Sequence, residues 1–285
     1  MKKIFLILIL SLIAIPLLSQ DKNRPSFLRY YEYSDLMQAP DAAYKFGLYG
    51  FSNPAATSYL HDGDMQFSYS MNGNQEFNKF GYFTGSHNSG FGLIYNRYKD
   101  AQNNQYGVFD YRSSIAFGDR IFSIGLGYDF VGGSKTKSGR SNSWQWSFLY
   151  RPSGNFSISG GQTRSIDKND YETNAQIAIR PIASYPLALF ADASLYTANN
   201  LDFDDLFAKS VNLKNGLRYS YGVSWEVVDG IRVNGRMFSN PYINGTEINE
   251  DYYSLGFDLS LGTYGVSAIL GQNSVDTHPV KQSSV

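Results

Sequence analysis

The run Phe122-Ser123-Ile124-Gly125-Leu126-Gly127-Tyr128-Asp129-Phe130 decides the fold class. Bulky apolar residues fill every even position and small or polar residues every odd one. This is the two-residue period of a strand whose faces meet different surroundings. The alternation returns from Trp144 to Tyr150, from Leu217 to Val227 and from Tyr253 to Leu261. The polar face of a soluble sheet is rich in Lys, Glu and Thr. Here that face is Gly, Ser, Asn and Asp with isolated charges. Such a face suits a crowded or wet barrel interior, with the bulky residues turned to lipid.

Working outward, about thirteen such segments follow residue 63, each near the nine to eleven residues that a tilted membrane strand needs. They begin near Asp64, Phe77, Gly90, Gln105, Arg120, Asn142, Asn155, Tyr171, Pro186, Lys214, Gly230, Asp251 and Thr263. Tight connections (His87 to Gly90, Gly118-Asp119, Pro152 to Asn155, Asp229-Gly230, Gly262-Thr263) alternate with longer ones. The longer ones include Gly132 to Ser141, Ala198 to Ser210 and Asn240 to Glu250. Membrane barrels keep short turns at the periplasmic end and long loops outside, whereas a soluble sandwich has no reason to sort its loops. Tyr98, Tyr106, Tyr150, Tyr171, Tyr196, Tyr252 and Tyr264 fall at strand ends, where a tyrosine ring suits the headgroup layer.

The expected fold is therefore all-β, a transmembrane antiparallel barrel of about fourteen strands. Thirteen are visible, and even strand number brings both ends of a bacterial barrel to the periplasm. A fourteenth strand is expected to be missing from this chain, which would then be an N-terminal portion of a longer product. Otherwise one segment is split, or Phe27 to Tyr33 pairs.

Residues 1–20 have a signal-peptide layout: Lys2 and Lys3, the apolar run Ile4 to Leu18, Pro16 near its end and Ser19 as a small residue before cleavage. Residues 21–62 form an expected plug or hatch segment, and 63–285 the barrel. Mean hydropathy is only -0.32. That is too polar for a bundle of membrane helices but normal for a barrel, in which every second residue faces lipid. A formal net charge of -1 offers no basic field for nucleic acid, and Cys 0 excludes thiolate metal sites, a cysteine nucleophile and a lipoprotein anchor.

Chemistry-bearing motifs are few. The 3 histidines, His61, His87 and His278, are not at metal-ligand spacing, and Ser86-His87-Asn88 cannot form a triad from adjacent strand positions. No catalytic residue, metal site or cofactor is expected. Asp202, Asp204 and Asp205 could bind calcium but read more simply as a solvated acidic loop. Lys135, Lys137 and Arg140 could meet lipopolysaccharide, or be an ordinary polar loop. The charges Arg97, Arg112, Asp129, Arg180, Asp192, Arg218, Glu226, Arg232, Arg236 and Asp258 are expected to face the lumen. At mid-depth in lipid a basic residue costs about 2–4 kcal/mol. They either pair and plug the barrel or line a polar path.

The stretch Ala43 to Ala56, with Asn53-Pro54-Ala55 just before the first strand, resembles the luminal hatch of the FadL/PorV group of outer-membrane barrels. That resemblance implies fourteen strands and either carriage of hydrophobic compounds or a secretion-associated platform. Phe46 to Ala55 and Gly90 to Ile94 are also similar to a barrel that precedes the protease in some SppA-type (S49) proteins. That would make this chain the membrane anchor of a serine peptidase lying beyond it. Expected partners are outer-membrane lipid and lipopolysaccharide, the barrel-assembly machinery and a hydrophobic small molecule, in the outer membrane of a Gram-negative-type cell.

Overall fold

A computed structural model describes residues 26–33, 36–43, 47–71, 77–99, 104–134, 138–168, 170–198, 217–243, 246–261, 264–273 and 282–284. The expected signal peptide, Lys135, Lys137, the Asp202–Asp205 cluster and His278 lie outside these residues. The strands are β1 (Asp64–Met71), β2 (Phe77–Ser86), β3 (Ser89–Lys99), β4 (Gln105–Gly118), β5 (Phe122–Gly133), β6 (Ser143–Ser153) and β7 (Phe156–Ser165). They continue as β8 (Asp170–Ile179), β9 (Leu187–Ala198), β10 (Leu217–Val228), β11 (Ile231–Ile243), β12 (Thr246–Leu261), β13 (Tyr264–Asn273) and β14 (Gln282–Ser284).

The fold is all-β: thirteen long antiparallel strands, each paired with its sequence neighbours, curl into one sheet. The three-residue β14 bridges the two edges, pairing with Ser70 and Met71 of β1 and with Ile269, Leu270 and Gly271 of β13. Among the described residues, Asp64–Tyr69 and Tyr264–Ala268 pair on one side only. The gap expected between the thirteenth strand and the first is thus spanned at one level.

The short connections use residues suited to them. Asn88 and Gly230 take left-handed backbone angles, φ 65 and φ 79, in two-residue turns. Asp119 Oδ1 accepts from the backbone N–H groups of Ile121 and Phe122, at 2.7 and 2.9 Å, folding the β4–β5 turn. One expected long loop is absent. Asn240↔Glu250, Tyr242↔Glu247 and Ile243↔Thr246 are strand pairs, so Asn240 to Glu250 is mostly ladder and only 244–245 separate β11 from β12. Paired backbone satisfies its own polar groups better than an open loop does.

On β5 the alternation is complete. Phe122, Ile124, Leu126, Tyr128 and Phe130 are exposed outward, and Ser123, Gly125, Gly127 and Asp129 are buried inward. Two of the sequence expectations fail, the first on parity. Tyr106 is buried, and Tyr98, Tyr196 and Tyr252 are only partly exposed. They share the inner face with Asn96, Ser194 and Arg236 or bond to it, instead of standing in a headgroup layer. Phe27 to Tyr33 does not pair as a strand; it lies in the lumen, with a 3-10 turn at Tyr30–Glu32.

Candidate functional site: the plugged lumen

The described residues between 26 and 60 fill the barrel interior. At one end Ser26 hydroxyl donates to Asp170 Oδ1 at 2.5 Å, and its carbonyl accepts from Ser141 N at 2.6 Å. Both partners sit at the long-loop end. The chain descends to Asp41–Ala43, where Arg180, just past β8, donates to the Ala43 carbonyl at 2.9 Å at the short-turn end. It returns through Gly47–Gly50 and the 3-10 segment Pro54–Tyr59. It leaves at the short-turn end, where Tyr59 hydroxyl donates to the Arg120 carbonyl at 2.5 Å.

An irregular segment of this length carries backbone carbonyls that no ladder satisfies, and buried ones need donors. The wall supplies them. Ser114 hydroxyl donates to Gly50 O at 2.9 Å, Gln145 Nε2 to Ser52 O at 3.0 Å, Ser123 hydroxyl to Ala55 O at 2.9 Å and Arg151 to Asp41 O at 2.6 Å. Arg112 donates to Phe51 O, Ser157 to Ala42 O and Arg140 to Phe27 O. The serines and amides of the inner face are thus the plug's sockets. Arg140, expected in an exposed loop, is buried and also binds Glu32 at 3.2 Å. Carboxylate and carbonyl partners inside outweigh its exposure to water.

Asn53, Pro54 and Ala55 form the tightest seat. Asn53 is extended (φ -143, ψ 103), as a residue before proline must be, and its Oδ1 accepts from Ala55 N at 2.9 Å as an N-cap. Ser147 hydroxyl also accepts from Ala55 N at 3.0 Å, and Asn53 Nδ2 donates to Phe148 O at 3.3 Å. Pro54 and Ala55 lie against Gly125 and Gly127 of β5; a Cβ at Gly125 would overlap the backbone of both plug residues. Around this seat the plug has its own apolar core. Tyr30, Tyr31, Tyr33, Leu36 and Phe51 pack on inward-facing Phe83, Ile94 and Phe238.

The expected lumen charges distribute unevenly. Asp129 pairs with Arg112, which lies 4.7 Å over the Phe51 ring; the Nη2–Oδ2 distance is 2.8 Å. Asp192 pairs with Arg236 at 2.8 Å and accepts from the hydroxyls of Tyr31 and Ser220, each at 2.5 Å. Glu226 pairs with Arg232 at 2.9 Å, and Asp258 accepts from Gln38 of the plug and from Asn234. Arg218 and Arg180 are half-buried on the inner face. Arg97 is the exception and a correction. It is exposed, because Asn96, Ile94 and Gly92 hold the inner parity of β3 and leave Arg97 in step with outward Tyr95 and Leu93. Sequence reading also missed Glu172, which binds Arg29 and the Tyr30 N–H, the latter at 2.7 Å. Its position opposite Tyr196 on the inner parity was the available signal. Among the described residues no cluster of His, Cys, Asp or Glu could hold a metal ion. His87 Nδ1 donates to the Leu60 carbonyl at 3.0 Å.

Asp41 reports on plug docking. It is buried in the plug turn, where Ser52 hydroxyl donates to it at 2.7 Å. Burial pushes its carboxyl up to about 6, against an ordinary 3.8, and the hydrogen bonds offset only part of this. A carboxyl raised in the folded state binds protons there more tightly than in the released state. Its contribution to docking is therefore full below pH 3.8 and is lost as pH rises through about 6. The span corresponds to at most about 3 kcal/mol. Asp41→Asn is expected to raise the urea midpoint for plug release at pH 7.5 and to shrink its difference from pH 4.5. An unchanged pH difference in the variant would remove Asp41 from the account.

No protein-family model matches the chain, and no curated protein matches it. Solved structures with a similar course include the outer membrane protein Omp33 of Acinetobacter baumannii, with TM-score 0.49 and 10% identity, covering 79% of this chain and 96% of that one. The CymD monoaromatic hydrocarbon channel gives TM-score 0.49 and 11% identity, covering 88% and 94%. OccK10 (OpdN) of Pseudomonas aeruginosa gives TM-score 0.38 and 7% identity, covering 78% and 97%. The functional reading rests on the chain's own geometry.

Proposed function

We propose that this chain is an outer-membrane barrel of FadL/PorV-like type, a channel or carrier for small molecules that its own N-terminal segment holds shut. The observation that carries the reading is the inversion of faces. Met65, Phe67, Phe117, Leu126, Leu189, Leu255, Val266 and Leu270 are 48–68% exposed on the outside. Arg112, Asp192 and Arg236 are at most 4% exposed inside. Water outside would favour the opposite arrangement, and a contiguous apolar belt this large needs a cover. Among the described residues no helix is long and apolar enough to cross a membrane, so the crossing falls to strands. The sheet's ladders satisfy most of the backbone there, as hydrocarbon demands.

The hatch reading of Asn53-Pro54-Ala55 is supported by its seat on the Gly125–Gly127 hollow, inside the wall and bonded to it. Among the described residues the plug is held mainly by side-chain donors and by isolated backbone bonds, with no strand pairing to the wall, so it can leave without breaking a ladder. That favours a gate over a permanent core.

Fractionation with a heat-modifiability gel, followed by planar-bilayer recording of the purified chain, tests this. Recovery in the outer membrane, a mobility shift on boiling and mostly closed recordings with rare openings are expected. Recovery as a soluble periplasmic protein would sink the membrane reading. Membrane recovery without conductance or solute flux, even when the plug is loosened, would sink the channel reading and leave a platform.

A further inference from the structure

At the short-turn end, between the β8–β9 and β10–β11 connections, the plug leaves a cavity of about 580 Å³ with Ala43 on its wall. Its polar lining includes Arg180, Glu226, Arg232 and Asp258, and Tyr185, Pro186 and Ala188 give it an apolar side. Arg29, Arg112, Arg140, Arg232 and Arg236 each hold a carboxylate. Among the described residues the Arg180 side chain donates to one group, the Ala43 carbonyl. No carboxylate of the described residues lies in ion-pair reach of it. The like charge of Arg232, on the same cavity wall, acts on it.

The acids of the cavity are otherwise engaged. Glu226 holds Arg232 at 2.9 Å and accepts from Gly230 N at 3.2 Å, and Asp258 accepts from Gln38 and Asn234. Asp229 is exposed in the β10–β11 turn. A half-buried guanidinium with donors to spare, sharing a cavity with a second one, is suited to bind an oxyanion in two-point fashion. The apolar side asks for a body attached to that anion.

We propose that this cavity binds a small organic carboxylate, its anionic group held by Arg180 toward Arg232 and its apolar body against Tyr185, Pro186 and Ala188. The proposal rests on the channel reading for its purpose: the site would lie on the solute's route at the short-turn mouth. As a binding site it stands separately.

The test is calorimetric titration of the detergent-purified full chain with sodium benzoate, with benzamide and inorganic phosphate as comparison probes. Benzoate is expected to bind, benzamide and phosphate at least about tenfold more weakly, since each lacks either the charge or the apolar body. Arg180→Gln is expected to weaken benzoate by about tenfold or more, the worth of a charge-assisted contact. Arg97→Gln, on the outer surface, should leave it unchanged. Ser224→Phe, which fills the cavity without touching either guanidinium's charge, should also abolish binding and covers the case in which Arg180→Gln fails to fold. Equal binding of benzoate and benzamide, phosphate binding as tightly as benzoate, or undiminished benzoate binding in Ser224→Phe would each overturn the proposal. Benzoate binding in a chain that conducts nothing would keep the site and sink the channel reading. Conductance without benzoate binding would do the reverse.

Discussion

Replacing Arg112 by alanine is expected to loosen the plug and destabilise the barrel together. Arg112 is 2% exposed and ties β4 to two other parts of the molecule: Asp129 of β5 and, through both its carbonyl and its ring, Phe51 of the plug. Removing it strands a buried carboxylate, and breaking a buried pair from one side costs about 3–5 kcal/mol. Heat-modifiability should weaken, and open-channel events should rise in bilayer recordings. The pair variant Arg112→Met with Asp129→Leu separates the two effects. It removes both charges, so barrel stability should largely return. The Phe51 carbonyl still lacks its donor, so the raised conductance should persist. If the pair variant is as closed as wild type, the Arg112 bond to the plug is not part of the gate.

The second large effect is expected at Gly125. A Cβ there meets Ala55 N and the Pro54 carbonyl carbon, which are plug backbone and cannot rotate aside as a side chain would. Gly125→Val should therefore unseat Asn53-Pro54-Ala55 while leaving the β4–β5–β6 ladder intact, since valine is at home in a strand. The expected result is a heat-modifiable barrel, still in the membrane fraction, whose recordings are open most of the time. Overpacking typically costs about 1–3 kcal/mol, and here the cost falls on docking because β5 is held by ladders to β4 and β6 on both of its edges. As a comparison, Gly235→Ala on β11 meets only a Val223 methyl at 3.7 Å and should change nothing. Wild-type closure in Gly125→Val would show that the hatch triplet does not control the lumen.

The barrel was legible in the chain because its signal is local. A two-residue period, nine or more residues long, names a strand and its two environments without reference to any other segment. Twelve of the thirteen expected starts fall within three residues of the observed ones; β12 begins five residues early, at Thr246, because the β11–β12 ladder runs on to the pair Ile243↔Thr246. Parity also placed Asp129, Asp192, Arg236 and Asp258 inside. It misplaced Arg97, since β3 carries apolar residues on both faces (Leu93 and Tyr95 outward, Ile94 inward), so hydrophobicity alone does not decide which face is which.

The plug was legible only as a place. Asn53-Pro54 announces a constrained turn, but Tyr30, Tyr31, Tyr33 and Leu36 have no period, and their burial depends on a wall built by residues more than forty positions away. The meaning of the inner serines and glycines was hidden for the same reason. Ser114, Ser123 and Ser157 look like a wet surface, and Gly125 like a strand weakened by a missing side chain. In the folded molecule the serines are donors to plug carbonyls and the glycine is the space in which Pro54 rests. The sequence by itself determined the strands and, on most of them, which face is polar, because alternation is a property of neighbours along the chain. Only the tertiary structure decided that the lumen is filled, which carboxylate each arginine holds, and that Arg180 is left facing a cavity. Those depend on distances across a barrel, and no local pattern records them.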